Sequence, residues 1–172
     1  LAPAFCGRGA QAAELLRILN GAEAPALVAI SGAPGSGKSR LLAEALRRQR
    51  LLYAAGRGPA LEVLEGDPRA LLDAGEGGEK LDDAAVAILH ELEQRGERRR
   101  QVVVLELDDP LAQRLACFAL RGDVAGVLFV CEVTPASKEL ALLGEQGGSL
   151  ALVEVPPLDH IAATQLLVSM LG

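Results

Sequence analysis

Apolar residues along this chain follow two rhythms. Short unbroken runs alternate with stretches in which they recur every three or four positions, as expected of buried strands and amphipathic helices. Ala12, Leu15, Leu16 and Leu19 form one helical face, which Asn20-Gly21 would end. Ala26-Leu27-Val28-Ala29-Ile30-Ser31 suits a parallel strand covered on both faces, and Leu41, Leu42, Ala45 and Leu46 then return to helical spacing. Residues 51–55 read as a second short strand. Residues 56–80 carry Gly56, Gly58, Gly66, Gly75, Gly77, Gly78 and several acids, which predicts an irregular loop with one short element near 61–64. Asp82 or Asp83 would then cap a helix whose face is Ala85, Ile88, Leu89 and Leu92 and which Gly96 closes. A strand over 102–107, a helix over 111–120, strands over 127–131 and 150–155, and a helix over 159–170 complete the series. Such alternation predicts an α/β fold with a parallel sheet between two helical layers.

Between the first strand and its helix lies Gly32-Ala33-Pro34-Gly35-Ser36-Gly37-Lys38-Ser39, of the form G-x-x-x-x-G-K-S. In a phosphate-binding loop of this pattern, glycines let successive N–H groups of Gly35, Ser36, Gly37 and Lys38 turn inward around phosphate oxygens at the positive end of a helix dipole. Lys38 would reach the β and γ phosphates, and the Ser39 hydroxyl would serve Mg2+ bridging them. The plainer alternative is a glycine-rich turn before an ordinary helix. The flanking strand and helix favour the nucleotide.

Composition narrows the partners. The 172 residues suffice for one domain, able to bury roughly 70% of the unfolded chain's surface. Phe5, Phe118, Phe129 and Tyr53 are its only aromatics, so the core is aliphatic and base stacking has few platforms. A net charge of −6 does not favour a nucleic-acid backbone. Arg95, Arg98, Arg99 and Arg100 form a local exception, most simply a solvated helix end. Cys6, Cys117 and Cys131 lack metal-ligand spacing and read as reduced, mostly buried thiols of an intracellular protein. No apolar run is long enough for a membrane span, and the opening Leu1 suggests a fragment of a longer protein.

A nucleotide site of this kind needs a carboxylate near the cation and a group to orient water, at the ends of neighbouring strands. Val102-Val103-Val104-Leu105-Glu106-Leu107-Asp108-Asp109 fits a Walker B pattern, with Asp108 on the metal's side and Asp109 polarising the water. An Asp-Asp-Pro turn capping the next helix is the competing reading, weightier for Asp109. Glu106, two residues before Asp108 and on the same strand face, is an alternative metal-side acid that does not reach the strand end.

The order Phe5-x-Gly7-Arg8, amphipathic helix, Gly32-to-Ser39 loop and strand ending in Asp108-Asp109 resembles the AAA+ superfamily, nearest the STAND signal-transducing ATPases and then the origin-recognition initiators. Val155-Pro156-Pro157-Leu158 before a helix resembles the family's fifth strand running toward its helical lid. The resemblance implies a three-layer αβα P-loop NTPase with strand order 5-1-4-3-2, here lacking the C-terminal helical lid. It also implies ATP or ADP as ligand, Arg8 near the base, self-association or protein partners, and a nucleotide-dependent switch.

Asp109 stands where most relatives carry Glu, which implies slow hydrolysis. At the end of the fourth strand, where relatives carry a polar sensor, the chain offers Glu132, Val133 and Thr134, of which Thr134 is the candidate, and no Arg lies between Pro135 and the fifth strand to act as a finger, leaving Lys138, Arg114 and Arg121. The leading expectation is an ATP-binding, slowly hydrolysing switch for assembly or signalling. A degenerate scaffold and a nucleic-acid initiator or loader subunit are the alternatives.

Overall fold

A computed structural model describes residues 7–21, 24–72, 80–122 and 124–171. Phe5, Cys6 and the glycines at 75, 77 and 78 lie outside them. The first helix, α1 (Gly9–Asn20), leads to β1 (Leu27–Ser31) and α2 (Lys38–Ala54). Next come β2 (Leu61–Leu64), a 3-10 turn over Pro68–Leu71, α3 (Leu81–Gly96), β3 (Arg100–Leu105) and α4 (Pro110–Arg121). β4 (Val127–Val133), α5 (Lys138–Glu145), β5 (Leu150–Glu154) and α6 (His160–Leu171) close the sequence. All strand pairs are parallel, in the order β2-β3-β4-β1-β5, the expected order read from the other edge.

Strand parity divides the core. Phe129, Cys131 and Val133 of β4 pack with Val103 and Leu105 of β3 against α3 and α4, whereas Leu128 and Val130 pack with Val28 and Ile30 of β1 against α1 and α2. Because β1 lies between β4 and β5 with both faces covered, all five of its residues are buried, which is why its sequence shows no alternation. Burial pushes the Cys131 thiol up to about 12, consistent with an inert core thiol, and Cys117 is likewise free and buried.

Several expectations are corrected. Residues 51–54 extend α2 instead of forming a strand, leaving Leu51 and Tyr53 exposed. The helix ends in a Schellman motif: Gly56 is left-handed at φ 69°, its N–H donates to Tyr53 O, and the Arg57 N–H donates to Leu52 O at 2.8 Å. The second strand is β2, at the position of the short element expected near 61–64, and it pairs with β3. β3 runs two residues earlier than expected because the chain turns after Leu105, with the Asp109 N–H donating to Glu106 O and Leu107 folding back into the core. Lys80, not Asp82 or Asp83, is the N-cap of α3, and both acids sit in its first turn, where the helix dipole favours them. α5 has no counterpart among the predicted elements. In the arginine cluster, Arg98 and Arg99 are exposed as expected. Arg100 is half-buried and donates to Gly21 O at 2.5 Å, tying β3 to the end of α1.

Candidate functional site

The Gly32–Ser39 loop leaves the carboxyl end of β1 and enters α2 directly. Its start is pinned by the sheet: the Gly32 N–H donates to Val133 O at the end of β4. A side chain at Gly32 would meet Ser36 Oγ at 2.5 Å and Val155 O at 2.9 Å, so glycine is required there by close approach. Gly35 and Gly37 are required by conformation instead, at φ 75° and 89°, and the space beside each is open. Gly37 is the N-cap of α2 and offers no side-chain acceptor, so the first-turn N–H groups of a 17-residue helix face the loop uncapped.

Lys38 arches back over the loop, its Nζ donating to Gly32 O at 2.9 Å and Ala33 O at 3.2 Å. Ser36 Oγ is a buried hydroxyl without a hydrogen-bond partner among the described residues. The Lys38 ammonium, the first-turn N–H groups of α2 and the open space beside Gly35 and Gly37 suit a phosphate, whereas the Ser36 N–H, expected to face it, donates to Ala33 O at 3.0 Å. Ala33 and Pro34 form its exposed rim.

Arg8 approaches from the other side. It is 5% exposed, and its Nη2 donates to Ser36 O at 3.2 Å. Burial lowers its pKa, and the nearby Asp159 carboxylate partly offsets that effect. Gly7, at φ 67°, lies against Ala162 of α6, where a Cβ would collide.

Ser39 Oγ donates to Glu132 Oε2 at 3.0 Å. The parity of β4 explains the contact, because Glu132 follows Leu128 and Val130 on the face that packs against α2. Hydroxyl and carboxylate oxygens are the hard donors that Mg2+ accepts. No group of three potential ligands occurs among the described residues, so a cation here would draw remaining ligands from phosphate and water.

The structure distributes the strand-end acids differently from one another. Asp108 is exposed, three residues beyond β3, and no hydrogen bond joins it to the loop among the described residues. Asp109 is the N-cap of α4, accepting from the Leu111 N–H at 3.2 Å, and Arg69 clamps both its oxygens at 2.9 and 3.1 Å. That guanidinium, with the cap bonds, holds the Asp109 carboxyl below the usual carboxylate range. Glu106, Asp109 and Arg69 share a cleft with Gly66, Asp67 and Pro68, on the β2 side of the sheet. Thr134 directly follows the residue that bonds Gly32, and its carbonyl accepts from the Ser137 N–H at 3.2 Å. Of the finger alternatives, Arg114 pairs with Asp82 at 3.0 Å, Arg121 donates to Gln146 and Lys138 is exposed.

In the sequence reading Glu132 is passed over for Thr134 and Arg69 is not singled out. The parity of an acid inside an apolar strand could have flagged the first. Nothing local flags the second, which meets Asp109 across 40 positions.

No family model matches the chain, and no curated protein does. Solved structures do. The chain superposes on an Aeropyrum pernix ORC1 protein in complex with DNA (TM-score 0.66, 16% identity), covering 97% of this chain and 50% of that one. Drosophila ORC bound to DNA gives a TM-score of 0.55 at 15% identity, over 100% and 56% of the respective chains. An Aeropyrum pernix ORC2 protein in ADPNP-ADP complexes gives 0.55 at 16% identity, over 90% and 50%. The chain thus spans about half the length of the proteins it matches. At such identities the likeness concerns architecture: the five-stranded parallel sheet with helices on both faces is a fold that this chain shares with these origin-recognition proteins.

Proposed function

We propose that this chain is a Mg-ATP-binding domain that hydrolyses slowly and whose nucleotide state controls assembly or signalling, as in the STAND branch of AAA+ proteins. The observation that carries the reading is the loop itself: a Lys38 ammonium and uncapped helix N–H groups converge beside open glycines at the carboxyl edge of a parallel sheet. Lys38 exchanges its loop carbonyls for phosphate oxygens, Ser39 contributes a hydroxyl to the cation, and Arg8 holds the loop from behind through Ser36 O. Bound Mg2+ would neutralise charge developing on the transferred phosphoryl group. The sequence pattern assigns the metal's side to Asp108, which lies exposed in the turn beyond β3, and Thr134 is this reading's sensor of the terminal phosphate. Asp109 is its water-orienting group, and the clamp by Arg69 together with the cap role supports slow turnover.

A second reading, an initiator or loader subunit acting on nucleic acid, is favoured by two of the structural neighbours having been solved with DNA. It requires basic surface beyond these residues, given the net charge of −6.

Calorimetric titration with ATP and magnesium, with Lys38→Ala as control and phosphate release measured on the same sample, tests the leading reading. Binding that Lys38→Ala abolishes, with slow release, is expected. Equal affinity in both proteins would remove its foundation, and salt-dependent binding to duplex DNA would favour the second.

A further inference from the structure

Walker B logic directs attention to the acids after β3, but the carboxylate that touches the phosphate loop comes from β4. Glu132 sits on the central strand, opposite Ile30 of β1 in register and one residue before Val133, whose carbonyl pins Gly32. Its side chain is half-buried, and its Oε2 accepts from Ser39 Oγ at 3.0 Å. Ser39 is the second residue of α2, immediately after Lys38, so the carboxylate is joined to the hydroxyl that the loop pattern assigns to the cation. Asp108 is exposed in the turn beyond β3, and Glu106 opens onto the separate cleft with Arg69.

A fixed carboxylate at this position repels an uncomplexed polyphosphate, since like charges a few ångströms apart on a partly buried surface interact unfavourably. A hard divalent cation reverses the sign, because Ser39 Oγ and Glu132 can then both present oxygen to it. Building on the nucleotide reading, we infer that Glu132 is the cation-side carboxylate of this loop and makes triphosphate binding conditional on a divalent ion. Without the ion, the Ser39 hydroxyl is retained by Glu132. With it, Ser39 Oγ and Glu132 would be the residues that hold the ion, and the end of β4 would be coupled to the state of the site.

The experiment is titration of ATP into the folded protein, once with Mg2+ and once with EDTA, for wild type, Glu132→Gln, Glu132→Asp, Glu106→Gln and Asp108→Asn. The readout is the ratio of the two affinities. Glutamine still accepts from Ser39, so the loop stays supported while the charge is lost. Glu132→Gln should lower the Mg2+ enhancement by roughly 10- to 100-fold, partly by raising affinity in EDTA. Glu132→Asp keeps the charge, shortens the reach, and should weaken the enhancement without that rise; it carries the test if Glu132→Gln does not fold. An unchanged enhancement in the Glu132 variants would overturn the inference, as would its loss in Asp108→Asn or Glu106→Gln alone. Failure of the wild type to bind ATP in either medium would overturn the nucleotide reading, and the inference with it.

Discussion

Gly32→Ala is the most exacting probe of the loop. The added methyl would lie 2.5 Å from Ser36 Oγ and 2.9 Å from Val155 O, both well inside van der Waals contact. The serine can rotate away, but the carbonyl belongs to backbone whose N–H donates to Ser31 O at 2.7 Å, so relief requires moving the β5 end relative to β1 or lifting the loop off the sheet. Overpacking of this kind costs about 1–3 kcal/mol. For a domain of this size, each 1 kcal/mol lowers Tm by about 2–4 °C, so a fall of about 2–12 °C is expected by calorimetry or circular dichroism. ATP affinity should fall with it, because the Gly32–Val133 bond and the Lys38–Gly32 contact share the displaced backbone. Gly35→Ala is the informative companion. Beyond its chain neighbours no atom of the described residues lies within 4 Å of its added methyl, and the cost there, about 1–3 kcal/mol, arises from the left-handed backbone at φ 75°. Refutation would be a Gly32→Ala protein with wild-type Tm and wild-type ATP affinity, which would show that the loop does not rest on Val155.

Asp109→Asn should leave ATP binding intact and reduce phosphate release in single-turnover assays; undiminished release would assign Asp109 wholly to its cap and its bridge to Arg69. Phe129 is fully buried between β1 and β3, and Phe129→Ala should cost about 3–5 kcal/mol in urea unfolding. The Glu44 carboxyl is lowered to about 2, first by its hydrogen bond from Arg47 and also by Arg48. A lowered acid contributes stability above its unfolded pKa and loses it as pH falls, so urea midpoints should drop between about pH 4.5 and 2, and Glu44→Gln should flatten that segment.

The sheet and the loop were legible because each rests on local chemistry. A parallel central strand needs an unbroken apolar run such as 26–31, and a phosphate loop needs glycine at fixed positions before Lys38 and Ser39. Residues 51–55 misled because a five-residue apolar run suits either a strand or the end of a helix, and the decision lay in the left-handed cap at Gly56. Helix α5 escaped notice because Leu143 is its only buried residue, which leaves little periodic signal. The end of β3 was misjudged by extending its alternation through Leu107, although Leu107 reaches the core from a turn. Glu132 required knowing which face of β4 meets α2. Arg69 required a pairing across the sheet that no short-range pattern encodes.

Arg8 gives the loop a mechanical connection. Residues 7–8 and the start of α6 meet through Gly7 and Ala162, with Asp159 near the Arg8 guanidinium, and that guanidinium grips the carbonyl of Ser36. Residues 7–8 and the start of α6 therefore meet beside one peptide of the Gly32–Ser39 loop, which Arg8 contacts. Truncation of that side chain, as in Arg8→Ala, would leave Ser36 O without this donor and cut this tie between the loop and the packing of α6.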